Sequence, residues 1–347
     1  MIFSSKKRRH PIRNTFIGLL FCLVLIVSVI VATNVGFNYQ VRIAKETVTV
    51  WNLPKSLQNY TILHISDLHG ARFNNKQSDF KKVIETLDYH VVVMTGDMVG
   101  KHGDYKPLLE LIETLKPDVP VLLIAGDEDP PPIIYNAHGY ASPLNTYLME
   151  AERLGVIYLD VPYSITVGNA TIWFFQEEHS HIDIPSQRNA YAKRYEQIAP
   201  VRDESPDNAA MLRALEYRLD TLKRLEEVRT EIVDDSIQIA LSHYPITDEY
   251  YRDMAVYDHG ELLSLTNTTL LLAGHFCGGQ WRFPWNDEAI YIPGLGSAPD
   301  KQLYTGKSYV GGITQYISPG LGASGMYPQP GRLFNSPYIS LITLSSK

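Results

Sequence analysis

Asp67 and His69 stand two residues apart at the end of one apolar run, and Asp97, Asp127, His243 and His275 each close another. The closing motifs are Ser66-Asp67-Leu68-His69-Gly70, Thr95-Gly96-Asp97, Ala125-Gly126-Asp127-Glu128-Asp129, Ser242-His243-Tyr244-Pro245 and Gly274-His275-Phe276-Cys277-Gly278-Gly279-Gln280. Carboxylate oxygen together with imidazole nitrogen suits Zn, Mn or Fe. Asp97 carries two oxygens and can bridge a pair of cations. Taken singly each motif is commonplace: a salt-bridged Asp beside an exposed His, a Gly-Asp turn, or a hydrogen-bonded core histidine. Taken in order they suggest a dinuclear metal centre, because strand ends in an open α/β sheet converge on one crevice.

The elements that must position these residues can be read from periodicity. Runs rich in β-branched and aromatic residues at 60–65, 91–94, 121–124, 171–175, 237–241 and 270–272 are expected strands. Between the first two, Phe80, Val83, Ile84 and Leu87 share one helical face, and 107–115 repeats the pattern. Strands alternating with helices imply a largely parallel α/β sheet. The strands from Ala289 onward lack intervening helices and suggest a second, more antiparallel sheet beside the first. Segment 185–235 breaks the rhythm with Glu, Arg and Lys around an apolar stripe of Leu212, Leu215, Leu219, Leu222 and Leu225. It reads as a helical insertion, either a surface helix on the sheet edge or a lid over the site, with Ser205-Pro206 as its start signal.

Composition bounds the rest. The chain has 347 residues, 45% of them hydrophobic, with a formal net charge of −7, enough to bury a sizeable core and without the basic excess of a nucleic-acid binder. No nucleic-acid partner is expected, and oligomeric state is not legible. Lys6, Lys7, Arg8, Arg9 and Arg13 precede an uncharged stretch built from Ile, Leu, Val and Phe. That stretch is long enough for a bilayer, which needs ~20 residues. The expected organisation is a cytoplasmic basic tail at 1–14, a transmembrane anchor at 15–33, a linker and edge strand at 34–55, and one domain at 56–347. By the positive-inside rule this is a single-pass cell-membrane protein, N-terminus cytoplasmic and the remainder extracytoplasmic. A cleaved signal peptide, whose apolar core is usually about 7–15 residues, and a buried core helix are the alternatives. The two cysteines, Cys22 and Cys277, lie in settings that make a disulfide implausible, which leaves Cys277 free as a ligand.

With Asp67-Leu68-His69, Gly96-Asp97, Ser242-His243-Tyr244-Pro245 and Gly274-His275 in this order, the sequence resembles the calcineurin-like metallophosphoesterases over about 61–344. In particular it resembles the membrane-anchored bacterial branch similar to the enzymes that act on UDP-diacylglucosamine, and Ser318-Pro319-Gly320-Leu321-Gly322 and Pro337-Tyr338-Ile339-Ser340-Leu341 look like that branch's tail. The resemblance implies a four-layer α/β/β/α sandwich. It implies that Asp67, His69 and Asp97 hold one metal and that Asp97, His243 and His275 hold the other, the ions being Zn, Fe or Mn. It also implies in-line attack of a metal-bound hydroxide on a phosphomonoester, phosphodiester or pyrophosphate. The substrate is then a phosphorylated small molecule or a lipid-linked compound. A nucleotide-sugar lipid would face the cytoplasm, in conflict with the topology above.

Three positions depart from the family pattern: Asp127 and Glu128 replace Asn-His, and Cys277 replaces the last His of Gly-His-x-His. Asp127 and Cys277 remain metal-capable, and the thiolate favours softer ions over Mn. Glu128, with Asp97, is the candidate catalytic residue, able to protonate a leaving group only while it holds a proton itself. The added negative charge implies tight metal binding and slow turnover. The alternative is a non-catalytic metal- or ligand-binding member of the family at the cell surface. Neither a Gly-x-Ser-x-Gly elbow nor a Gly-rich loop ending Gly-Lys-Ser/Thr is present. Glu177, Glu178, His179 and His181 read as a solvated loop, with a second metal patch as the alternative. His102 and His138 lie in loops that could approach the substrate.

Overall fold

The computed structural model describes residues 11–136, 142–256, 261–327 and 331–347, so Lys6, Lys7, Arg8, Arg9 and His138 lie outside the described residues. Helix α1 (Pro11–Asn38) carries the apolar run, and strand β1 (Arg42–Val50) starts almost at once after it. The segment expected as a linker is therefore helix, a short turn and strand. Asn34 and Asn38 are the reason: their side chains bond the 332–334 loop and extend the helix down to the body.

The chain then alternates through β2 (Thr61–Ile65), α2 (Ser78–Ile84), β3 (Val91–Thr95), α3 (Lys106–Ile112), β4 (Val121–Ile124), α4 (Thr146–Arg153) and β5 (Val156–Tyr158). Four of these strands pair in parallel in the order β2, β3, β4, β5. The second half adds β6 (Tyr163–Val167), β7 (Ala170–Gln176), α5 (Ile184–Ile198), α6 (Pro206–Arg229), β8 (Ile237–Leu241), α7 (Asp248–Ala255) and β9 (Leu270–Ala273). A small hairpin of β10 (Tyr291–Ile292) and β11 (Gly296–Ser297) precedes β12 (Gly306–Val310), β13 (Ile313–Ile317) and β14 (Tyr338–Ser346). Two six-stranded sheets result, β1-β14-β2-β3-β4-β5 and β12-β13-β9-β8-β7-β6. The second sheet is not formed from the late strands alone. Its centre, β7, β8, β9 and β13, is parallel, and only its outer pairs β6–β7 and β12–β13 are antiparallel. The last strand, β14, crosses back to the first sheet beside β2.

The two-residue period of a strand explains the layering. Val91 and Val93 face Phe174, Ile239 and Leu272 across the gap between the sheets. Val92 and Met94, on the opposite face, meet Phe80, Leu108 and Leu148 from the helices. Strands buried on both faces read as continuous apolar runs, which is how β3 appears in the sequence. On the far side Trp173, Phe175 and Ala240 pack on Leu222 and Leu225 of α6 and Ile184 of α5. The architecture is thus helix, sheet, sheet, helix. The 185–235 segment supplies the outer layer of the second sheet, and α6 starts as the sequence indicates, with the Ser205 hydroxyl accepting from the Asn208 amide at 3.1 Å.

Candidate metal centre

Five parallel strands, β2, β3, β4, β8 and β9, deliver their C-terminal turns to one edge of the sandwich. Asp67, His69, Asp97, His275 and Cys277 all have left-handed backbone, with φ of 51°, 44°, 53°, 78° and 48°. Outside glycine this conformation is uncommon and is best tolerated by Asp, Asn and His. It turns each side chain back over the strand end instead of along the loop. Neighbouring turns interlock: the His69 amide donates to Asp97 O at 2.8 Å and the Asp67 amide to Gly96 O at 3.0 Å.

Two groups of ligand atoms lie side by side. Asp97, Asp127, His243 and His275 each bring one atom to within 4.8 Å of the others, and so do Asp67, His69 and Cys277. A third set, His69, Asp97 and Glu128, overlaps both and places Asp97 between them. His243 Nε2 lies 2.8 Å from Asp127 Oδ1 and 3.3 Å from Asp97 Oδ2, and His69 Nε2 approaches the same Asp97 oxygen at 3.6 Å. His275 Nδ1 is 3.2 Å from both His243 Nε2 and Asp127 Oδ1, and Cys277 Sγ is 3.4 Å from His69 Nε2.

Asp97 Oδ2 is buried and accepts no hydrogen bond, whereas Oδ1 accepts from the Glu128 amide at 2.8 Å. An orphaned buried carboxylate oxygen among ring nitrogens is the environment a cation satisfies. His243 Nδ1 donates to Thr95 O at 2.8 Å, which turns Nε2 toward the centre. Burial disfavours charge on His243, but Asp127 and Asp97 overcome it and raise its pKa to about 11. Asp127 is held well below the usual carboxylate range, first by its bond to His243. Burial raises Asp67 and pushes the Cys277 thiol far up, with the Asp67 charge adding to the latter. His275 is lowered by burial and then by the charge on His243. Protons on His243 and Cys277 hold the positions a cation would take.

A scan against protein-family models matches residues 60–278 to the calcineurin-like phosphoesterase family. The chain belongs to that family. No curated protein matches it. Among solved structures, phosphopantetheinyl hydrolase (PptH) from Mycobacterium tuberculosis is similar at 14% identity with a TM-score of 0.35, over 75% of this chain and 89% of that one, too remote a likeness to argue from.

In this calcineurin-like phosphoesterase the structure brings together Asp67, His69, Asp97, Asp127, Glu128, His243, His275 and Cys277. Glu128 stands at the outer edge, its Oε2 3.6 Å from His69 Nδ1, its carboxylate accepting from the Ser324 hydroxyl and from the Gly325 amide at 3.3 Å. A cavity of about 110 Å³ opens beside it, lined among others by His69, Lys101, His102, Glu128 and Ala323. Sequence reasoning missed Asp129. It is buried, its pKa is raised to about 6 by that burial, and its two oxygens accept from Val99 N at 2.7 Å and Gly126 N at 2.9 Å, clamping the β3 and β4 turns together. An aspartate following a Gly-Asp turn was the available signal. Ser324 and Lys101 carry no local signature. The 177–181 segment is not the solvated loop expected: Glu177 and His179 are buried, and Tyr250 of α7 donates to Glu177 Oε1 at 2.8 Å. Cys22 on α1 is exposed and Cys277 is buried, and both are free.

Proposed function

We propose that this chain hydrolyses a phosphoester at a two-cation centre, with Asp67, His69 and Cys277 on one ion, Asp127, His243 and His275 on the other, and Asp97 between them. One observation carries the reading: the unpartnered Asp97 oxygen, buried between His69 and His243 with a ligand group on either side. The cations, Zn, Fe or Mn, supply Lewis acidity toward water and phosphate. The chain's own residues do the rest. Asp97 fixes the spacing of the two groups, the Thr95 carbonyl orients His243, and Asp129 holds the turns in register. Glu128 lies at the cavity and gives a proton to the leaving oxygen. Lys101 and His102, lining the same cavity, face the phosphate.

Helix α1 is long and apolar enough to cross a membrane over Arg13–Asn38. We read it as an uncleaved anchor with the basic tail in the cytoplasm and the α/β body outside. The substrate class of the UDP-diacylglucosamine branch is the finer alternative and requires the opposite orientation. Elemental analysis of the full-length protein in detergent, with turnover of an aryl phosphate monoester and diester, tests the reading. Two tightly held ions and hydrolysis lost in Asp97→Asn are expected. Two ions without turnover of either ester would leave the non-catalytic reading, which the negative charge of Asp127 and Glu128 beside a phosphate site favours.

A further inference from the structure

A second space adjoins the cavity at the metal centre. It is a groove of about 330 Å³ with walls that include Val35, Tyr39, Ala71, Phe73, Leu321 and Ala323. Ala323 lines both spaces, so they lie next to each other with that small residue at their boundary. The groove is built from continuations of the site itself. Ala71 follows His69 by two residues, and the Gly322 amide donates to Asp67 O at 2.6 Å. Its remaining wall is the last turn of α1. That turn is fixed in place: Asn34 and Asn38 side chains both donate to Arg332 O at 2.9 Å, and the Phe334 amide donates to Asn34 Oδ1 at 2.7 Å.

Resting on the phosphoester reading above, we propose that the substrate is a lipid phosphate whose alkyl chain lies in this groove while its phosphate enters the cavity at Glu128 and Lys101. Polarity changes along the path in the required sense. Lys101, which has no acidic partner within 4 Å among the described residues, faces the inner cavity, and apolar side chains dominate the groove toward α1. The polar groups there are mostly engaged already, since Arg332 donates to Gly322 O, Pro319 O and Asn335 O, leaving little to recognise a water-soluble head. Position argues the same way. The groove opens where the apolar span ends, which in a bilayer is the depth of the lipid headgroups. The neighbouring loop agrees: Arg282 N donates to Leu333 O at 2.9 Å, and beyond it Trp285, 75% exposed, stacks on Phe283 at 5.0 Å between ring centroids. An exposed tryptophan of this kind suits the membrane interface.

The test uses full-length protein in phosphatidylcholine vesicles with two probes of identical leaving group, methyl p-nitrophenyl phosphate and hexadecyl p-nitrophenyl phosphate. Wild type is expected to favour the hexadecyl ester in kcat/KM by on the order of tenfold or more, the effect of burying about two methylenes. Val35→Trp, at an exposed helix position that fills the groove from α1, is expected to bring the ratio close to one. Equal turnover of the two esters by wild type, or a preference untouched by Val35→Trp, overturns the proposal. A hexadecyl phosphate with a photoreactive diazirine at the chain end gives a readout independent of hydrolysis. Labelling at 34–39 and 71–73 supports the groove even if neither ester is hydrolysed, in which case the phosphoester reading alone fails. Labelling confined to the lipid-facing residues 16–33, or cross-links at Val35 between two copies of the chain, overturns it.

Discussion

Adding one methyl group to Gly126 tests whether Asp97 organises the centre. A Cβ at that position would lie 2.3 Å from both Asp97 Oδ1 and the Asp97 amide nitrogen, and 2.9 Å from Cγ. Ordinary contact needs about 3.5 Å, so the carboxylate or the 126–129 turn must move by about 1 Å. Gly126 is not at positive φ, so the methyl acts through this contact and not through backbone strain. If the carboxylate moves, the 2.8 Å bond that Asp97 Oδ1 accepts from the Glu128 amide breaks; if the turn moves, that amide is carried away and the same bond is lost. Either way the loss is a charge-assisted bond of about 1.5–3 kcal/mol, which corresponds to about 10- to 100-fold in metal affinity. Zinc titration calorimetry on metal-stripped Gly126→Ala, with elemental analysis after dialysis, measures it. Circular dichroism must show the folded α/β spectrum in parallel. Wild-type zinc affinity and stoichiometry in a folded Gly126→Ala protein would refute the role given to Asp97.

Other expectations follow from the same geometry. Glu128→Gln should slow hydrolysis of an alkyl ester with a poor leaving group by on the order of 10²-fold while slowing a p-nitrophenyl ester far less, as a lost proton donor requires; steady-state kinetics on the two esters decide it. Cys277→His should shift retained metal from Zn toward Mn when both are supplied, because the thiolate is the soft ligand of its group, and elemental analysis reads the ratio. Burial raises Glu177 from 4.5 to about 7, so the folded protein binds a proton there that the unfolded chain has released. Stability from this group is full below about pH 4.5 and falls as pH rises toward 7, by about 3 kcal/mol in all. Glu177→Gln should flatten that decline, and thermal melts at pH 5 and pH 8 check it.

Much of the site was legible because its parts are local. β3, β4 and β8 are short apolar runs buried on both faces, and each ends in a polar turn that names its ligand. The composition of the second sheet was not legible, since nothing in β13 indicates that it pairs with β9 or that β14 returns to the first sheet. Burial of Glu177 and His179 was missed for a similar reason. Their cover comes from Tyr250 and Arg229, about 70 and 50 residues away in sequence, with Arg229 donating to His179 O. The role of Asp129 was not legible because its partners, Val99 N and Gly126 N, belong to two different turns. The segment at 185–235 holds α5 and α6, but which face of the sheet they cover depends on Trp173 and Phe175, a contact their own periodicity cannot name.

The left-handed backbone at five of the ligands has a consequence for how such a centre can change over evolutionary time. Each of those residues sits in a conformation costing of order 1 kcal/mol or more, held there by sheets assembled around it. A β-branched or bulky replacement would raise that cost sharply, while Asp, Asn and His are accommodated. The scaffold therefore filters substitutions by shape before metal chemistry acts on them. Cys277, also at positive φ, shows the filter passing a thiol, so a substitution there can retune which metal is held while leaving every strand where it was.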